Sequence, residues 1–230
     1  MQFNAGYIFD FFLPRVCPGC NIKLSPHDKP VCNECLSSIL IADDNLIQAE
    51  FNRKFFQTNI IKDFISKYVF ETDKTLQHII HALKYGRQFR LGIFMGYLLA
   101  EEIKNKKWQL DLIVPVPIHH LKKAERGFNQ SDYIAKGLSK SLGIPYSTKL
   151  IKRTRYTESQ TGLNLDERAE NVADAFKVRN SKKIVEKNIL LVDDVITTGA
   201  TTLECGKVLV TAGAKSVYVC SIATTEYFPN

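Results

Sequence analysis

The sequence predicts an α/β protein with a doubly wound, mainly parallel sheet and a small cysteine-rich module near its N-terminus. Two observations predict the sheet. Apolar, strand-like runs alternate with helical patterns from about residue 111 onward, which is typical of parallel strands covered by helices. One of these runs also ends in paired carboxylates before a loop of small residues. Two closely spaced pairs of cysteines predict the module.

The length of 230 residues accommodates one substantial α/β domain and a small appendage. We divide the chain into an N-terminal helix with a metal module (1–40), a helical hood or linker region (41–110) and an α/β core (111–230). No apolar run approaches the ~20 residues that a transmembrane helix requires. The net charge of +7 favours anionic ligands, either small phosphates or nucleic acid.

The cysteine-rich module contains two Cys-x-x-Cys pairs separated by eleven residues: Cys17, Cys20, Cys32 and Cys35. Each such turn points two thiolates at one position, which suits tetrahedral, structural Zn²⁺. A pair of disulfides is the alternative, but we recognise no secretory signal that would place the chain in an oxidising compartment. His27 is a further candidate ligand, although its Ser-Pro-His-Asp turn favours an exposed side chain.

Apolar periodicity predicts the remaining helices and strands. Between the module and the core, we expect a short strand at 66–70 and helices at 75–84 and 91–105. In the core, we expect strands at 111–116, 174–179, 188–193 and 216–223, and helices at 128–142 and 201–212. A polar stretch at 153–172 lies between the first core helix and the strands that follow it.

The most informative segment follows the apolar run Ile189–Val192, which predicts a buried parallel strand. Asp193 and Asp194 are expected at its carboxyl end, where open α/β sheets bind ligands. Small residues that open a helix offer N–H groups, hydroxyls and a positive dipole end to a phosphate; here they are Thr197, Thr198, Gly199, Ala200, Thr201 and Thr202. Carboxylates beside such a cradle suit vicinal hydroxyls next to a phosphate, as in a ribose 5-phosphate.

Other interpretations of this segment are weaker. Paired acids after a strand also form the metal site of receiver domains, but there they follow the first strand and here they lie close to the C-terminus. A Walker-type loop would need a Gly-Lys-Ser/Thr ending, which is absent. Plain turn residues remain the third alternative.

The segment from Ile189 to Thr201 resembles the 5-phosphoribosyl 1-diphosphate (PRPP) motif of type I phosphoribosyltransferases. Together with further motifs, it makes nearly the whole chain similar to the ComF/GntX family: the Cys-x-x-Cys pairs, Ala82–Gly86, Val114–Pro117, Arg126–Gln130, Arg153–Arg155, Gln160–Leu163 and Glu167–Asn171. The resemblance implies a type I phosphoribosyltransferase fold with a zinc-ribbon-like module, and Mg²⁺ with PRPP as ligands.

The resemblance also implies roles for two loops. The turn at Val116 and Pro117 would hold pyrophosphate, with nearby basic residues to balance its charge; a strand–helix connection with a solvated basic face is the alternative. The polar stretch at 153–172 would be the mobile catalytic loop, with these candidate catalytic residues: Arg153, Arg155, Gln160 and Arg168. A disordered connection is the alternative there.

The family resemblance implies a cytoplasmic protein that supports natural transformation, with single-stranded DNA and competence machinery (a helicase or DNA-uptake channel components) as partners. No acceptor substrate is implied. We therefore keep two hypotheses: a phosphoribosyltransferase, and a catalytically silent PRPP-sensing or DNA-binding adaptor. Basic clusters at 104–107, 122–126 and 182–187 are candidate DNA contacts. Trp108, beside the first cluster, is either a stacking platform or a packed side chain.

Overall fold

The computed structural model describes residues 15–72, 74–156 and 173–226. At its centre lies a parallel sheet of four strands in the order β1–β6–β5–β2. These strands are β1 Ile61–Val69, β2 Leu112–Pro115, β5 Asn188–Ile196 and β6 Ser216–Thr224. Two short strands, β3 Ile151–Arg153 and β4 Phe176–Val178, form a separate antiparallel pair. The predicted α/β fold with a parallel sheet is confirmed.

The described residues form seven α-helices: α1 Asn33–Ser37, α2 Asp44–Lys54, α3 Thr75–Tyr85, α4 Phe89–Asn105, α5 His120–Arg126, α6 Gln130–Leu142 and α7 Ala200–Thr211. Helices α3, α4, α6 and α7 agree with the sequence predictions to within about two residues. Helices α1, α2 and α5 were not predicted. Two of these are short, and α2 buries only three side chains, Ile47, Glu50 and Lys54, two of which are charged.

Helices cover both faces of the sheet. Side chains alternate between the faces along each strand, and the apolar strands therefore present apolar side chains to both. Leu190 and Val192 of β5 belong to the core that includes α3, α4 and α6. Ile189 and Leu191, which point the other way, belong to the core that includes α2 and α7. The strand is therefore buried on both faces, as its continuous apolar run predicts.

Helices α4 and α6 touch through glycines. A Cβ added to Gly96 would lie 2.3 Å from the carbonyl oxygen of Ile134, and one added to Gly137 would lie 2.2 Å from that of Ile93. Any larger residue at either position would push the helices apart. Because α6 also packs on β2 and β5, this contact fixes the first turn of α6 beside the carboxyl end of β5.

The central strand is longer than predicted. Strand β5 continues to Ile196, because Val195 and Ile196 still pair with Ala223 and Thr224 of β6. Asp193 and Asp194 therefore lie inside the hydrogen-bonded part of the strand, near its carboxyl end, and not beyond it. Their side chains point to opposite faces of the sheet.

The strand expected at 174–179 is present as Phe176–Val178, but it pairs antiparallel with β3 and not with the parallel sheet. The strand expected at 66–70 begins at Ile61 and forms the edge of the parallel sheet beside β6. The region 41–110, assigned to a hood or linker, thus supplies a strand of the central sheet. The domain boundaries themselves remain a prediction.

The helix predicted at the start of the chain falls in residues 1–14, outside the described residues. Among the described helices, none is both long enough and apolar enough to cross a bilayer.

Candidate functional site

The loop between β5 and α7 forms a small recess at the carboxyl end of the sheet, lined by Asp193, Val195, Ile196 and residues 197–202. We call residues 197–202 the cradle. Gly199 has φ +81°, and a Cβ there would lie 2.9 Å from the ring of Phe55. Glycine is therefore required both by the left-handed backbone and by the close contact. The first turn of α7 supplies unsatisfied backbone N–H groups at the positive end of the helix dipole.

The cradle hydroxyls differ in their surroundings. The Thr198 hydroxyl oxygen accepts a hydrogen bond from the backbone N–H of Ala200 at 3.3 Å, which shapes the loop. The hydroxyl of Thr202 is buried and donates to the carbonyl oxygen of Gly199 at 2.9 Å. Thr202 therefore braces the loop, whereas Thr197, Thr198 and Thr201 are partly exposed at the recess.

The two carboxylates have separate partners. Asp194 is buried and forms an ion pair with Lys84 at 3.1 Å, and the side-chain amide of Gln130 donates to the same carboxylate at 3.1 Å. Asp193 lines the recess and accepts a hydrogen bond from the Ser131 hydroxyl at 3.2 Å. The sequence predicts equivalent roles for the pair, but the structure leaves only Asp193 facing the cradle.

These surroundings drive the two pKa values apart. Burial, followed by the charge of the adjacent Asp194, raises the pKa of Asp193 to about 7. Burial acts on Asp194 in the same direction, but the Lys84 ammonium, the Val195 N–H and the Gln130 amide outweigh it and hold the pKa of Asp194 below its usual range. Asp194 is thus ionised at neutral pH, whereas Asp193 titrates near neutrality.

The turn after β2 lies beside the acid pair, because β2 is the neighbour of β5. The backbone N–H of Val116 donates to the Val192 carbonyl oxygen at 2.8 Å, and the Asn129 amide donates to the Val116 carbonyl oxygen at 3.0 Å. Pro117 is partly exposed, and His119 behind it is buried. The structure therefore places Val116 and Pro117 at the same end of the sheet as the cradle.

Arg153 and Arg155 lie at the end of β3 and just beyond it. The Arg153 guanidinium stacks over the Phe176 ring at 5.3 Å and is near enough to Asp193 for each charge to influence the other. Burial lowers the pKa of Arg153, and Asp193 is among the groups that oppose this. Arg155 is exposed. Gln160 and Arg168 lie outside the described residues.

The ends of the predicted catalytic loop are anchored close to the cradle helix. The backbone N–H of Thr154 donates to the Ala175 carbonyl oxygen at 2.8 Å, and the backbone N–H of Asp174 donates to the Glu204 carboxylate of α7 at 3.0 Å. Asp174 is thus bonded to α7, and Thr154 is bonded to the residue that follows Asp174.

Three side chains that hold the acid pair were not predicted as site residues: Lys84, Gln130 and Ser131. Lys84 and Gln130 belong to family-like motifs, but sequence spacing alone gave no contact with Asp194. Gln130 is buried and its amide oxygen has no hydrogen-bond partner among the described residues. An orphaned acceptor beside two carboxylates fits a site that receives a hydroxyl group or a hydrated cation.

The four predicted metal ligands come together. The Sγ atoms of Cys17, Cys20, Cys32 and Cys35 all lie within 4.8 Å of one another, and every cysteine of the chain is a free thiol. Backbone N–H groups of Cys32 and Cys35 point at the Sγ atoms of Cys17 and Cys32, both at 3.4 Å. The arrangement is compatible with a structural zinc site. His27 is exposed and is not part of the cluster.

The cysteine cluster packs directly on α3. A Cβ added to Gly19 would lie 2.7 Å from the Cys35 Sγ and 2.8 Å from the Thr75 side chain, the first residue of α3. The opposite end of the same helix carries Lys84. One helix therefore connects the cluster to the acid pair.

Comparison with known proteins shows which family the chain resembles. A model of the phosphoribosyl transferase domain matches residues 126–226. Competence protein F of Haemophilus influenzae is 30% identical over 214 residues, which cover 90% of each chain. DNA utilization protein YhgH of Escherichia coli K12 is 33% identical over 65% of this chain and 67% of its own. Competence protein ComFC of Streptococcus pneumoniae is 33% identical over 73% of this chain and 65% of its own.

Among solved structures, the chain is similar to glutamine PRPP amidotransferase from Bacillus subtilis, with 24% identity, a TM-score of 0.40, and coverage of 57% of this chain and 26% of that one. It is also similar to a purine phosphoribosyltransferase from Pyrococcus horikoshii, with 21% identity, a TM-score of 0.37, and coverage of 59% and 76%.

The cysteine cluster predicts a metal-dependent contribution to stability. Cys20 is exposed, so Cys20→Ser would change the stability of a metal-free protein little. If the cluster holds zinc, we expect this variant to lose bound zinc in elemental analysis and to melt at a lower temperature. Ile22→Ser, an exposed substitution in the same turn, is the control. Equal melting temperatures for Cys20→Ser and wild type would contradict the prediction.

The acid pair predicts opposite effects for two similar substitutions. In the folded protein Asp193 keeps a proton that the unfolded chain has lost, so this group weakens folding as pH rises toward about 7. Asp193→Asn removes this loss of stability. The melting temperature of the variant minus that of the wild type should therefore increase from about pH 5 to about pH 8. The pKa of Asp194 is lowered, so its ionised form stabilises the fold at pH values above the ordinary pKa of an aspartate. Asp194→Asn should therefore lower the melting temperature at neutral pH.

Thermal denaturation followed by circular dichroism across this pH range measures both effects. A lower melting temperature for Asp193→Asn than for wild type at pH 8 would contradict the assignment.

Proposed function

This chain belongs to the ComF family of competence proteins, and we propose that it binds Mg²⁺ and PRPP at the carboxyl end of its parallel sheet and supports natural transformation in the cytoplasm. The observation that carries the proposal is the recess in which Asp193 faces the cradle. Vicinal hydroxyls beside a phosphate match a carboxylate beside a set of helix N-terminal amides. The name of the Haemophilus influenzae relative, competence protein F, supports the biological role.

Each part of PRPP has a matching part of the site. Asp193 would bind the ribose hydroxyls, with Asp194 held as a fixed anion behind it. The cradle would bind the 5-phosphate, and the turn at Val116 and Pro117 would bind pyrophosphate. The orphaned amide oxygen of Gln130 and the carboxylates fit the oxygen ligands that Mg²⁺ prefers. When bound, Mg²⁺ would neutralise pyrophosphate charge.

The reaction would be displacement at the anomeric carbon. A bond from the nucleophile to this carbon forms, the bond to the pyrophosphate oxygen breaks, and pyrophosphate leaves with the electron pair. Arg153 lies near Asp193 and would stabilise developing negative charge, while Arg155, Gln160 and Arg168 would complete the loop that excludes water. The acceptor that supplies the nucleophile is not specified by these residues.

The second candidate is an adaptor that binds PRPP without transferring it. The observation that favours it is the naming of the relatives for competence and DNA utilization and not for a transfer reaction. Retention of the fold does not by itself require retention of catalysis.

Calorimetric titration with PRPP and Mg²⁺ tests ligand binding. We expect saturable heat for the wild type and its loss in the Asp193→Asn/Asp194→Asn double variant, with the fold checked by circular dichroism. Asp111→Asn, at the opposite end of the strands, should bind like the wild type. Absence of binding at millimolar PRPP would refute the proposal. Pyrophosphate release with candidate bases, amines and DNA then separates the enzyme from the adaptor.

For direct contact with single-stranded DNA, we propose a surface beside this site. The Arg126 guanidinium lies 5.2 Å from the Tyr85 ring centroid, and the Lys122 ammonium lies 5.9 Å from that of Tyr156. Both tyrosines are about half exposed, at 50% and 48%. Aromatic rings with adjacent cations suit bases and phosphates of a single strand.

The other two basic clusters are less suited to this role. The clusters at 104–107 and 182–187 lie shortly before β2 and β5, and so lie at the amino end of the sheet, away from the site. Trp108 is half-buried, donates to the Asp63 carboxylate at 2.9 Å and packs against Tyr218. Of the two interpretations of Trp108, the structure therefore favours a packed side chain over a stacking platform for DNA.

Fluorescence anisotropy of a labelled single strand across a salt series measures this contact. We expect sequence-tolerant binding that weakens steeply with salt, and a loss of about tenfold or more for Tyr85→Ala/Arg126→Ala, because stacking of one base contributes about 1–3 kcal/mol. Lys182→Ala/Lys183→Ala is the control at the far end of the sheet. A larger loss for the control than for the first variant would place the DNA elsewhere.

A further inference from the structure

We propose that Lys54 is a positioning residue for the cradle. Its ammonium ties the carboxyl ends of β5 and β6 to α2, and in this way it holds the loop that starts at Thr197 in a geometry that binds phosphate. The inference rests on the proposed function and extends it to a residue far outside the PRPP-like motif.

The first support is the set of hydrogen bonds that Lys54 makes. Its side chain is fully buried, and the ammonium donates to the backbone carbonyl oxygens of Ile196 and Thr225 at 3.3 and 3.2 Å and to the hydroxyl of Thr224. Ile196 is the last residue of β5, and Thr224 the last of β6. One cation therefore binds two strand ends at the point where the chain leaves the sheet.

The second support is the direct connection from these strand ends to the cradle. Ile196 immediately precedes Thr197, and the Thr225 hydroxyl donates to the Thr197 carbonyl oxygen at 3.3 Å. The Thr224 hydroxyl also donates to the Ile196 carbonyl oxygen, at 3.2 Å. A shift of Lys54 would thus move acceptors that either precede the loop directly or belong to residues hydrogen-bonded to its start.

The third support is the packing of α2 beneath the loop. A Cβ added to Gly199 would lie 3.2 Å from the Cβ of Lys54 and 2.9 Å from the Phe55 ring. The last turn of α2 therefore forms the floor on which the left-handed Gly199 rests. Lys54 is the residue of this floor that also bonds to the strands.

The charge of Lys54 is retained although the group is buried. Glu50, one turn earlier on α2, accepts from Lys54 at 2.8 Å and also pairs with Arg53. Burial lowers the pKa of Lys54 to about 8, with Glu50 opposing the change. The group is therefore mainly protonated at neutral pH. A buried cation requires such compensation. Apolar side chains alone could form the floor of the loop, so the buried charge indicates a further role for Lys54.

The test removes both charges of the buried Glu50–Lys54 pair, while Arg53, which also loses its contact with Glu50, is partly exposed and can be hydrated. In the double variant Glu50→Leu/Lys54→Met, apolar side chains of similar size replace both charges, a change that folded proteins often tolerate. The matched control is Lys67→Met/Glu102→Leu, which removes the ion pair between β1 and α4. Calorimetry measures the affinity for ribose 5-phosphate and, separately, for pyrophosphate with Mg²⁺.

We expect the Lys54 double variant to bind ribose 5-phosphate about tenfold or more weakly, the scale of one charged hydrogen bond, and to bind pyrophosphate as the wild type does. The control should bind both ligands normally. General destabilisation would weaken both ligands together, and this result, or unchanged ribose 5-phosphate affinity, would overturn the inference. If neither ligand binds to the wild type, the proposed function fails and the inference fails with it.

A second variant keeps the test decisive if the first does not fold. Thr224→Val preserves the shape and the buried charge but removes the hydroxyl that links Lys54 to β6. It should also weaken ribose 5-phosphate selectively. Equal affinity of this variant and the wild type for ribose 5-phosphate would overturn the inference.

Discussion

Asp193 and Asp194 place two carboxylates on consecutive residues of a strand that is buried on both faces, and much of the surrounding structure accommodates them. Two adjacent buried anions repel each other and lose their hydration. The protein resolves this by giving Asp194 a cation from α3 and an amide from α6, while Asp193 keeps a raised pKa and faces the recess. The positions of α3 and α6 are therefore constrained by the charge of one strand.

The close packing of α4 and α6 accompanies this arrangement. Gln130 and Ser131 open α6 and bond to the acid pair, and further along, α6 lies at backbone contact with α4 through glycines. A carboxyl with a raised pKa in a recess is a candidate functional group, and Asp193 has both features.

The site is supported from elements that lie far apart in the chain. Helix α2 forms the floor of the cradle, α7 anchors one end of the predicted catalytic loop, and α3 links the cysteine cluster to Lys84. The cluster lies at the first residue of α3 and the acid pair at its last turn. A single helix therefore joins the cysteine module to the acid pair.

The sequence by itself determined the features that depend on neighbouring residues: the parallel strands with their apolar runs, the cradle from Thr197 to Thr202, and two cysteine turns with metal-ligand spacing. Local backbone geometry and periodicity encode these directly. Only the tertiary structure decided which groups meet. Lys84 with Asp194, Lys54 with the ends of β5 and β6, and Phe55 under Gly199 are contacts between distant segments. The two acids look equivalent in sequence, and they differ in the structure because strand pleating gives neighbouring side chains different surroundings: Asp194 meets Lys84 and Gln130, whereas Asp193 meets Ser131 and lines the recess.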